Sequence, residues 1–125
     1  MYHARVEAEF AAAHFLSHYQ GKCEKLHGHN YKVRLWVRGE NLNNGGMLAD
    51  FSILKRALKD VLAPLDHSNL NDMEVFLNDP SAERIARFIF EKAEEILADQ
   101  GFDGSFLWAV DVFETETSMA RYEAS

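Results

Sequence analysis

The stretch HGHNYKVRLWVR, residues 27–38, alternates between apolar and polar side chains over most of its length. Side chains two positions apart lie on the same side of an extended chain. One side of this stretch is therefore continuously apolar, and it consists of Tyr31, Val33, Leu35 and Val37. Such period-two alternation predicts a strand with one face buried in a core. If the strand begins at residue 27, His27 and His29 project from that same apolar face.

Three further strands are predicted, one before this stretch and two near the end of the chain. Residues 6–14 alternate in the same way, and His14 ends their apolar face. Residues 106–115 form another strand, whose expected shared face consists of Phe106, Trp108, Val110, Val112 and Glu114. Residues 118–123 make a short final strand.

Two amphipathic helices are predicted between the second and third strands. The NNGG sequence at residues 43–46 marks a turn, after which Asp50 or Ser52 can cap a helix that ends near Pro64. Its buried stripe is expected to be Phe51, Leu54, Leu58, Val61, Leu62 and Leu65. The second helix begins near residues 79–81, and its apolar face consists of Ile85, Phe88, Ile89, Ala93, Ile96 and Leu97. The order β-β-α-α-β-β predicts an α+β fold, a four-stranded antiparallel sheet with both helices on one face.

Composition restricts the class of protein. A chain of 125 residues with 47% hydrophobic content suits a single domain over residues 1–125. The net charge of -7 argues against nucleic-acid binding. A single cysteine, no signal-peptide pattern and no apolar run of about 20 residues favour a cytoplasmic protein without membrane contact. The open edges of a four-stranded sheet favour oligomerisation.

Three histidines fall at or near predicted strand ends, on predicted inward faces: His14, His27 and His29. Three neutral imidazoles with an open fourth position are typical of a catalytic zinc site. The alternative is that these imidazoles only form hydrogen bonds, since an H-x-H pair is weak evidence for a metal. His14 on a second strand strengthens the metal interpretation, whereas His3 and His18 are interpreted as surface residues.

Four other residues carry candidate chemistry. Cys23 lies just before the histidine pair and is a buried apolar side chain, a fourth zinc ligand, or a thiol activated as a base. Asp66 and His67 are adjacent and form either a helix-terminal turn or an oriented proton relay. Glu114 ends an apolar strand face and is either a solvated charge or a fixed acceptor for two N–H groups of a ligand.

Taken together, these motifs resemble the 6-pyruvoyl-tetrahydropterin synthase superfamily, and within it the 6-carboxy-tetrahydropterin synthases of bacterial queuosine biosynthesis. The matching pieces occur in the family's order over nearly the whole chain: AAAHFL, KCEKLHGHNYKV, GMLADF, LDHSNLND, NDPSAE and VFETET. The spacing of Cys23 ahead of HGH is more similar to that of the carboxy enzymes than to that of the pyruvoyl enzymes.

The resemblance implies a T-fold, or tunnelling fold, in which trimers form a barrel and two trimers stack into a homo-hexamer. It implies a Zn²⁺ ion on His14, His27 and His29. It implies a catalytic triad of Cys23, Asp66 and His67, and Glu114 as the residue that binds the pterin. It also implies a pocket between subunits, so that Asp66 and His67 would serve a neighbour's zinc.

The activity implied is a lyase reaction. The small-molecule pterin substrate 7,8-dihydroneopterin triphosphate would become 6-carboxy-5,6,7,8-tetrahydropterin, with loss of acetaldehyde and triphosphate. Lys22, Lys25 and His18 are candidates for contacting the triphosphate. Glu24 directly follows Cys23, and some superfamily members use a glutamate in this region. A 6-pyruvoyl or a side-chain-cleaved product is therefore an alternative, and a non-catalytic zinc-bound oligomeric module is another.

Overall fold

The computed structural model describes residues 1–20 and 24–125. Five strands run over Tyr2–His14 (β1), His27–Gly39 (β2), Ser68–Asn69 (β3), Leu107–Thr115 (β4) and Ser118–Glu123 (β5). Two α-helices span Phe51–Leu62 (α1) and Ala82–Asp99 (α2), and two short 3-10 turns lie between β3 and α2. No helix in the described residues is both long enough and apolar enough to cross a membrane.

The strands form one sheet in the order β3-β1-β2-β4-β5. The four long strands pair antiparallel with their neighbours, which confirms the predicted α+β fold and element order. The sequence analysis did not anticipate β3, a two-residue strand that pairs parallel to β1 at Ala12 and Ala13. This short strand is the fifth strand of the sheet, and it pairs with the residues of β1 just before His14.

The pairing of β1 with β2 places the predicted apolar faces side by side. Phe10 lies opposite Tyr31, and their rings stack with centroids 4.8 Å apart. His14 lies opposite His27, and Ala12 lies opposite His29. The inward row of β2 is fully buried, with no exposed surface at Tyr31 or Val33. The three histidines therefore continue the core face of the sheet towards one end.

Both helices cover that same face, because their buried residues join one apolar core with the inward residues of the strands. The Asp50 carboxylate caps α1 by accepting from the backbone N–H of Ser52. The Ser81 hydroxyl caps α2 by accepting from the N–H of Arg84, so Pro80 precedes the helix. The interpretation of Phe51 as part of the buried stripe is wrong, since this side chain at the first helical position is 53% exposed.

A register shift in β4 changes the predicted face of that strand. Val110 and Val112 pair with Leu35 and Val33 as expected, but beyond Trp36 the pairing slips so that Leu107 lies opposite Val37. Leu107 is buried at 2% exposure and takes the core position that the alternation had assigned to Trp108. Trp108 instead packs edge-on against Trp36, which lies on the polar side of β2. A bulge adds one residue to one strand and so reverses the alternation on its far side.

The face of the sheet away from the helices carries a buried ion pair. Asp111 is only 2% exposed. Its carboxylate accepts from Nε1 of Trp36 at 2.8 Å and from Nε and Nη2 of Arg121 at 2.6 and 3.1 Å. This face is therefore held by directional polar contacts between β2, β4 and β5, while the opposite face is held by apolar packing.

Candidate functional site

Three imidazoles and one carboxylate meet at the end of the core face. His14 comes from the end of β1, His27 and His29 from the start of β2, and Glu114 from the end of β4. The ring centroids of the three histidines lie 4.7 to 5.0 Å apart. One ligand atom from each of the four residues lies within 4.8 Å of every other. The predicted grouping of the three histidines is thus present in the folded chain, with Glu114 as a fourth member.

Backbone carbonyls fix the orientation of two of these rings. Nδ1 of His14 lies 2.9 Å from the carbonyl oxygen of Pro80, just before α2. Nδ1 of His27 lies 2.8 Å from the carbonyl oxygen of Lys25. A carbonyl only accepts, so Nδ1 carries the proton in each ring and Nε2 keeps its lone pair. Metal-binding histidines are typically held in this way, because the hydrogen bond sets both the tautomer and the ring direction.

The Glu114 carboxylate lies between two of the rings. Its Oε1 is 2.8 Å from Nε2 of His29 and 3.3 Å from Nε2 of His14. Although the first distance is short, the groups are not aligned for a hydrogen bond, and both Nε2 atoms are buried without a partner among the described residues. With its proton on Nδ1, His14 directs the Nε2 lone pair at the carboxylate oxygen, and the two repel unless a cation or a proton lies between them. The donor set therefore fits a divalent metal, since imidazole nitrogen and carboxylate oxygen are both zinc ligands.

Burial favours the neutral, metal-binding form of one ring. The side chain of His29 is 19% exposed. Loss of hydration lowers the pKa of His29; the Glu114 charge opposes this shift, and the neighbouring His14 and His27 rings add to it. A lowered pKa means that less proton competition must be overcome before a metal binds.

Asp66 and His67 form the predicted pair, and His67 lines the same surface depression as His29 of the cluster. The Asp66 carboxylate accepts from the N–H of Ala11 at 2.9 Å, and its other oxygen lies 2.9 Å from Nδ1 of His67. The hydrogen bond from Ala11, and after it that from His67, lowers the pKa of Asp66. His67 is 83% exposed. No described contact joins either residue to the four-residue cluster of the same chain.

His67 borders an open depression of about 490 Å³ at the end of β1 and the start of β2, and His29 also lines it. Small side chains leave this space, because Ala11, Ala13 and Gly28 line it. The backbone at His67 is in the left-handed region, with φ of 57°, and its N–H donates to the carbonyl of Ala11. The pair is therefore fixed to the outer edge of β1 and presents an imidazole to the outside of the chain.

Cys23 and Lys22 lie outside the described residues, so their predicted roles as catalytic thiol and phosphate contact stay predictions. Glu24 is described: its N–H donates to the carbonyl of Leu16, and its Oε1 accepts from the N–H of Leu16, each at 3.0 Å. This reciprocal pair closes the loop between β1 and β2 at its base. One oxygen of Glu24 thus has a structural partner.

Sequence analysis missed the residues that hold the segment after His14. The Asp79 carboxylate accepts from the N–H groups of Ser17 and His18 and lies 2.6 Å from Nδ1 of His18. The side chain of Asn71 accepts from the N–H of Phe15 and donates to its carbonyl. The only local sign of this role is that Asn71 and Asp79 lie in or beside turns, where such side chains often accept backbone hydrogen bonds. Their partners here lie more than fifty positions away in the sequence. His18, a candidate for phosphate, is thereby engaged by a carboxylate.

Comparisons with known proteins agree with this geometry. A family model described as 6-pyruvoyl tetrahydropterin synthase matches residues 3–125. A 6-carboxy-5,6,7,8-tetrahydropterin synthase of Synechocystis sp. is 44% identical over 121 residues, which cover 93% of this chain and 88% of that protein. A protein of the same name from Bacillus subtilis is 35% identical over 122 residues, covering 93% and 81%.

A solved structure extends the likeness to three dimensions. The 6-pyruvoyl tetrahydropterin synthase of Caenorhabditis elegans matches with a TM-score of 0.84 and 30% sequence identity, covering 99% of this chain and 96% of that chain. The family model, the sequence relatives and the shared architecture agree over nearly the full length. This chain therefore belongs to the 6-pyruvoyl tetrahydropterin synthase family.

Proposed function

We propose that this chain is a zinc-dependent lyase that converts 7,8-dihydroneopterin triphosphate to 6-carboxy-5,6,7,8-tetrahydropterin, acetaldehyde and triphosphate in the queuosine pathway. The observation that carries the proposal is the pair of buried Nε2 atoms of His14 and His29, which converge without hydrogen-bond partners among the described residues. The name shared by the Synechocystis and Bacillus subtilis relatives, 6-carboxy-5,6,7,8-tetrahydropterin synthase, supports the choice of product.

His14, His27 and His29 would hold the zinc ion through Nε2. When bound, zinc supplies Lewis-acid stabilisation of negative charge on substrate oxygens. The chain's own contribution at this point is to hold a proton on Nδ1 of His14 and of His27, through the Pro80 and Lys25 carbonyls, so that Nε2 is the atom offered to the ion. The α2 N-terminal segment and the β1–β2 loop thus share the task of orienting these rings.

Glu114 is proposed to orient the pterin ring. A carboxylate accepts two N–H groups at once, which matches the edge of a pterin that presents an amine beside a ring N–H. The side chain of Glu114 is 31% exposed, so a ligand can reach it from solvent. Correct orientation brings the reacting carbon of the side chain close to the base, and such positioning lowers the barrier without any new chemistry.

Cys23 is proposed as the base that removes a proton from the substrate side chain. Asp66 and His67 are proposed to relay a proton, with the Asp66 carboxylate holding Nδ1 of His67 so that Nε2 faces the substrate. Because His67 faces the outside of its own chain, we propose that it completes the site of a neighbouring copy in a homo-hexamer built as a dimer of trimers. Cytoplasmic location is part of the same proposal.

A second candidate function follows from the position of Glu114. Its Oε1 lies so close to two imidazole nitrogens that it could serve as a fourth ligand. A closed four-ligand site is structural rather than catalytic. The chain would then be a non-catalytic zinc-bound oligomeric module. Coordination of the zinc by the Cys23 sulfur as fourth ligand would likewise make the site structural. A 6-pyruvoyl-forming or side-chain-cleaving relative remains the alternative within the enzyme class.

The metal assignment predicts one zinc ion per chain in the purified protein. Replacing His29 by alanine should weaken zinc binding by more than about a hundredfold, because a direct ligand matters more than the surrounding shell. Affinity is measured by competition with a chromophoric chelator. His3→Ala is the matched control, since His3 contacts Trp108 and does not belong to the cluster. Equal zinc affinity in His29→Ala and wild type would contradict the assignment.

The activity is tested by incubating the zinc-loaded protein with 7,8-dihydroneopterin triphosphate and measuring the mass of every product. We expect a 6-carboxy product together with acetaldehyde. A 6-pyruvoyl product or 6-hydroxymethyl-dihydropterin would identify the alternative enzymes of the same family. Complete recovery of the substrate from a protein carrying full zinc would favour the non-catalytic module.

The base assignment predicts different outcomes at two adjacent positions. Cys23→Ala should retain zinc and oligomeric state and lose about a hundredfold or more in kcat, the usual contribution of a positioned base. Glu24→Gln should stay near the wild-type rate, because the amide oxygen can still accept from the Leu16 N–H. The comparison uses initial rates at equal zinc content. If the two variants exchanged these results, Glu24 would be the base.

A site shared between copies predicts complementation. His67→Ala and His29→Ala should each be inactive alone, whereas mixed oligomers assembled from both should regain part of the activity. Recovery arises because some interfaces combine an intact His67 from one copy with an intact zinc cluster from another. Rates are measured after co-refolding, with each variant refolded separately as the control. No recovery in verified mixed oligomers would place the whole site within one chain.

A further inference from the structure

Tyr31 is a fully buried polar side chain beside the histidine cluster for which the proposed reaction has no use. It has no exposed surface. Its ring stacks on Phe10 with an interplanar angle of 12° and meets the edges of His14 and His29 at centroid distances of 5.8 and 5.4 Å. Its hydroxyl has no hydrogen-bond partner among the described residues. A phenol packed on several sides cannot turn away to find one.

An unpartnered buried hydroxyl is unfavourable, so its persistence calls for an explanation. The same residue with hydrogen in place of the hydroxyl, phenylalanine, would pack in the same space without that penalty. Tyr31 and Glu114 share two neighbours. The Tyr31 ring meets the rings of His14 and His29, and Oε1 of Glu114 lies 3.3 and 2.8 Å from Nε2 of the same two residues. Burial first, and the Glu114 charge second, raise the pKa of the Tyr31 hydroxyl.

The present position of the carboxylate conflicts with a bound metal. Oε1 of Glu114 occupies the point towards which Nε2 of His14 and Nε2 of His29 both converge. A cation held by those two nitrogens and by His27 would compete with Oε1 for this point. A carboxylate that leaves it needs a donor, because a charged group left without one in a partly buried site is strongly disfavoured.

We propose that Tyr31 is a positioning residue, whose hydroxyl donates a hydrogen bond to the Glu114 carboxylate in the metal-loaded protein. The bond holds the carboxylate beside the metal instead of on it and leaves its free oxygen to face the ligand. The hydroxyl, which has no partner among the described residues, would gain one in the metal-loaded protein. This inference rests on the proposed zinc site, and it makes the open form of the site depend on one hydroxyl.

Zinc affinity of the Tyr31→Phe variant tests this inference. In the absence of metal, Tyr31→Phe should be at least as stable to thermal unfolding as wild type, because no hydrogen bond is lost. Its zinc affinity should be about tenfold weaker, the loss expected for one hydrogen bond to a charged group that forms only on loading. Tyr122→Phe is the matched control, since this ring packs against Phe90 away from the cluster and its hydroxyl should not affect zinc binding.

A double-mutant cycle tells whether Tyr31 acts through Glu114. In a Glu114→Gln background, which removes the charge that the hydroxyl would serve, Tyr31→Phe should change zinc affinity by less than about twofold. In wild-type protein, zinc addition should also alter the near-ultraviolet tyrosine absorption, and Tyr31→Phe should lack that change. The absorption measurement on wild type does not depend on how any variant folds.

The outcomes separate this inference from the function on which it rests. If wild-type protein binds no zinc, the proposed function fails. If zinc binds through the histidines but Tyr31→Phe keeps the wild-type zinc affinity, the role of the hydroxyl is disproved and the zinc site stands. The same conclusion follows if Tyr31→Phe weakens zinc binding equally in wild-type protein and in the Glu114→Gln background. An unchanged tyrosine spectrum on zinc addition would likewise overturn the hydrogen bond alone.

Discussion

The antiparallel pairing of β1 with β2 is the constraint on which the site depends. It places His14 opposite His27 and Phe10 opposite Tyr31, so the histidines and the core share one face. Slipping one strand by a single residue would move its side chains to the opposite face. The stacked Phe10 and Tyr31 rings and the buried valines and leucines of β2 therefore fix the register. Hydrophobic packing thus determines the position of the polar groups that could hold a metal.

Electrostatics at the end of this face favour a bound cation. The Nδ1 proton of His14 is engaged by the Pro80 carbonyl, so the Nε2 lone pair of this ring faces a carboxylate oxygen of Glu114. A protonated His29 could balance the carboxylate, but burial lowers its pKa and works against that state. A divalent ion held by the imidazole nitrogens would remove the repulsion between the His14 lone pair and the carboxylate. The same cluster that is poorly satisfied without metal is well suited to bind one.

Sequence patterns predicted those strands and helices whose buried faces follow from the local spacing of apolar side chains. The core face of β2, the capping of α1 by Asp50 and the convergence of three histidines were all accessible in this way. Features set by distant partners were not. The bulge opposite Trp36, which turns Trp108 outward, depends on how two strands fit. The placement of Asp66 against Ala11 depends on a chain reversal that no local pattern records.

The geometry at His67 is difficult to explain within one chain. A non-glycine residue with φ of 57° carries backbone strain of order 1 kcal/mol or more, yet its imidazole is 83% exposed and touches nothing in the described cluster. The Asp66 carboxylate and the Ala11 carbonyl both hold it in place. Fixing a solvated imidazole has little value for the stability of the fold. It has value if a second copy brings a site to that edge of β1, where most of the strand has no partner in the part of the chain that the structure describes.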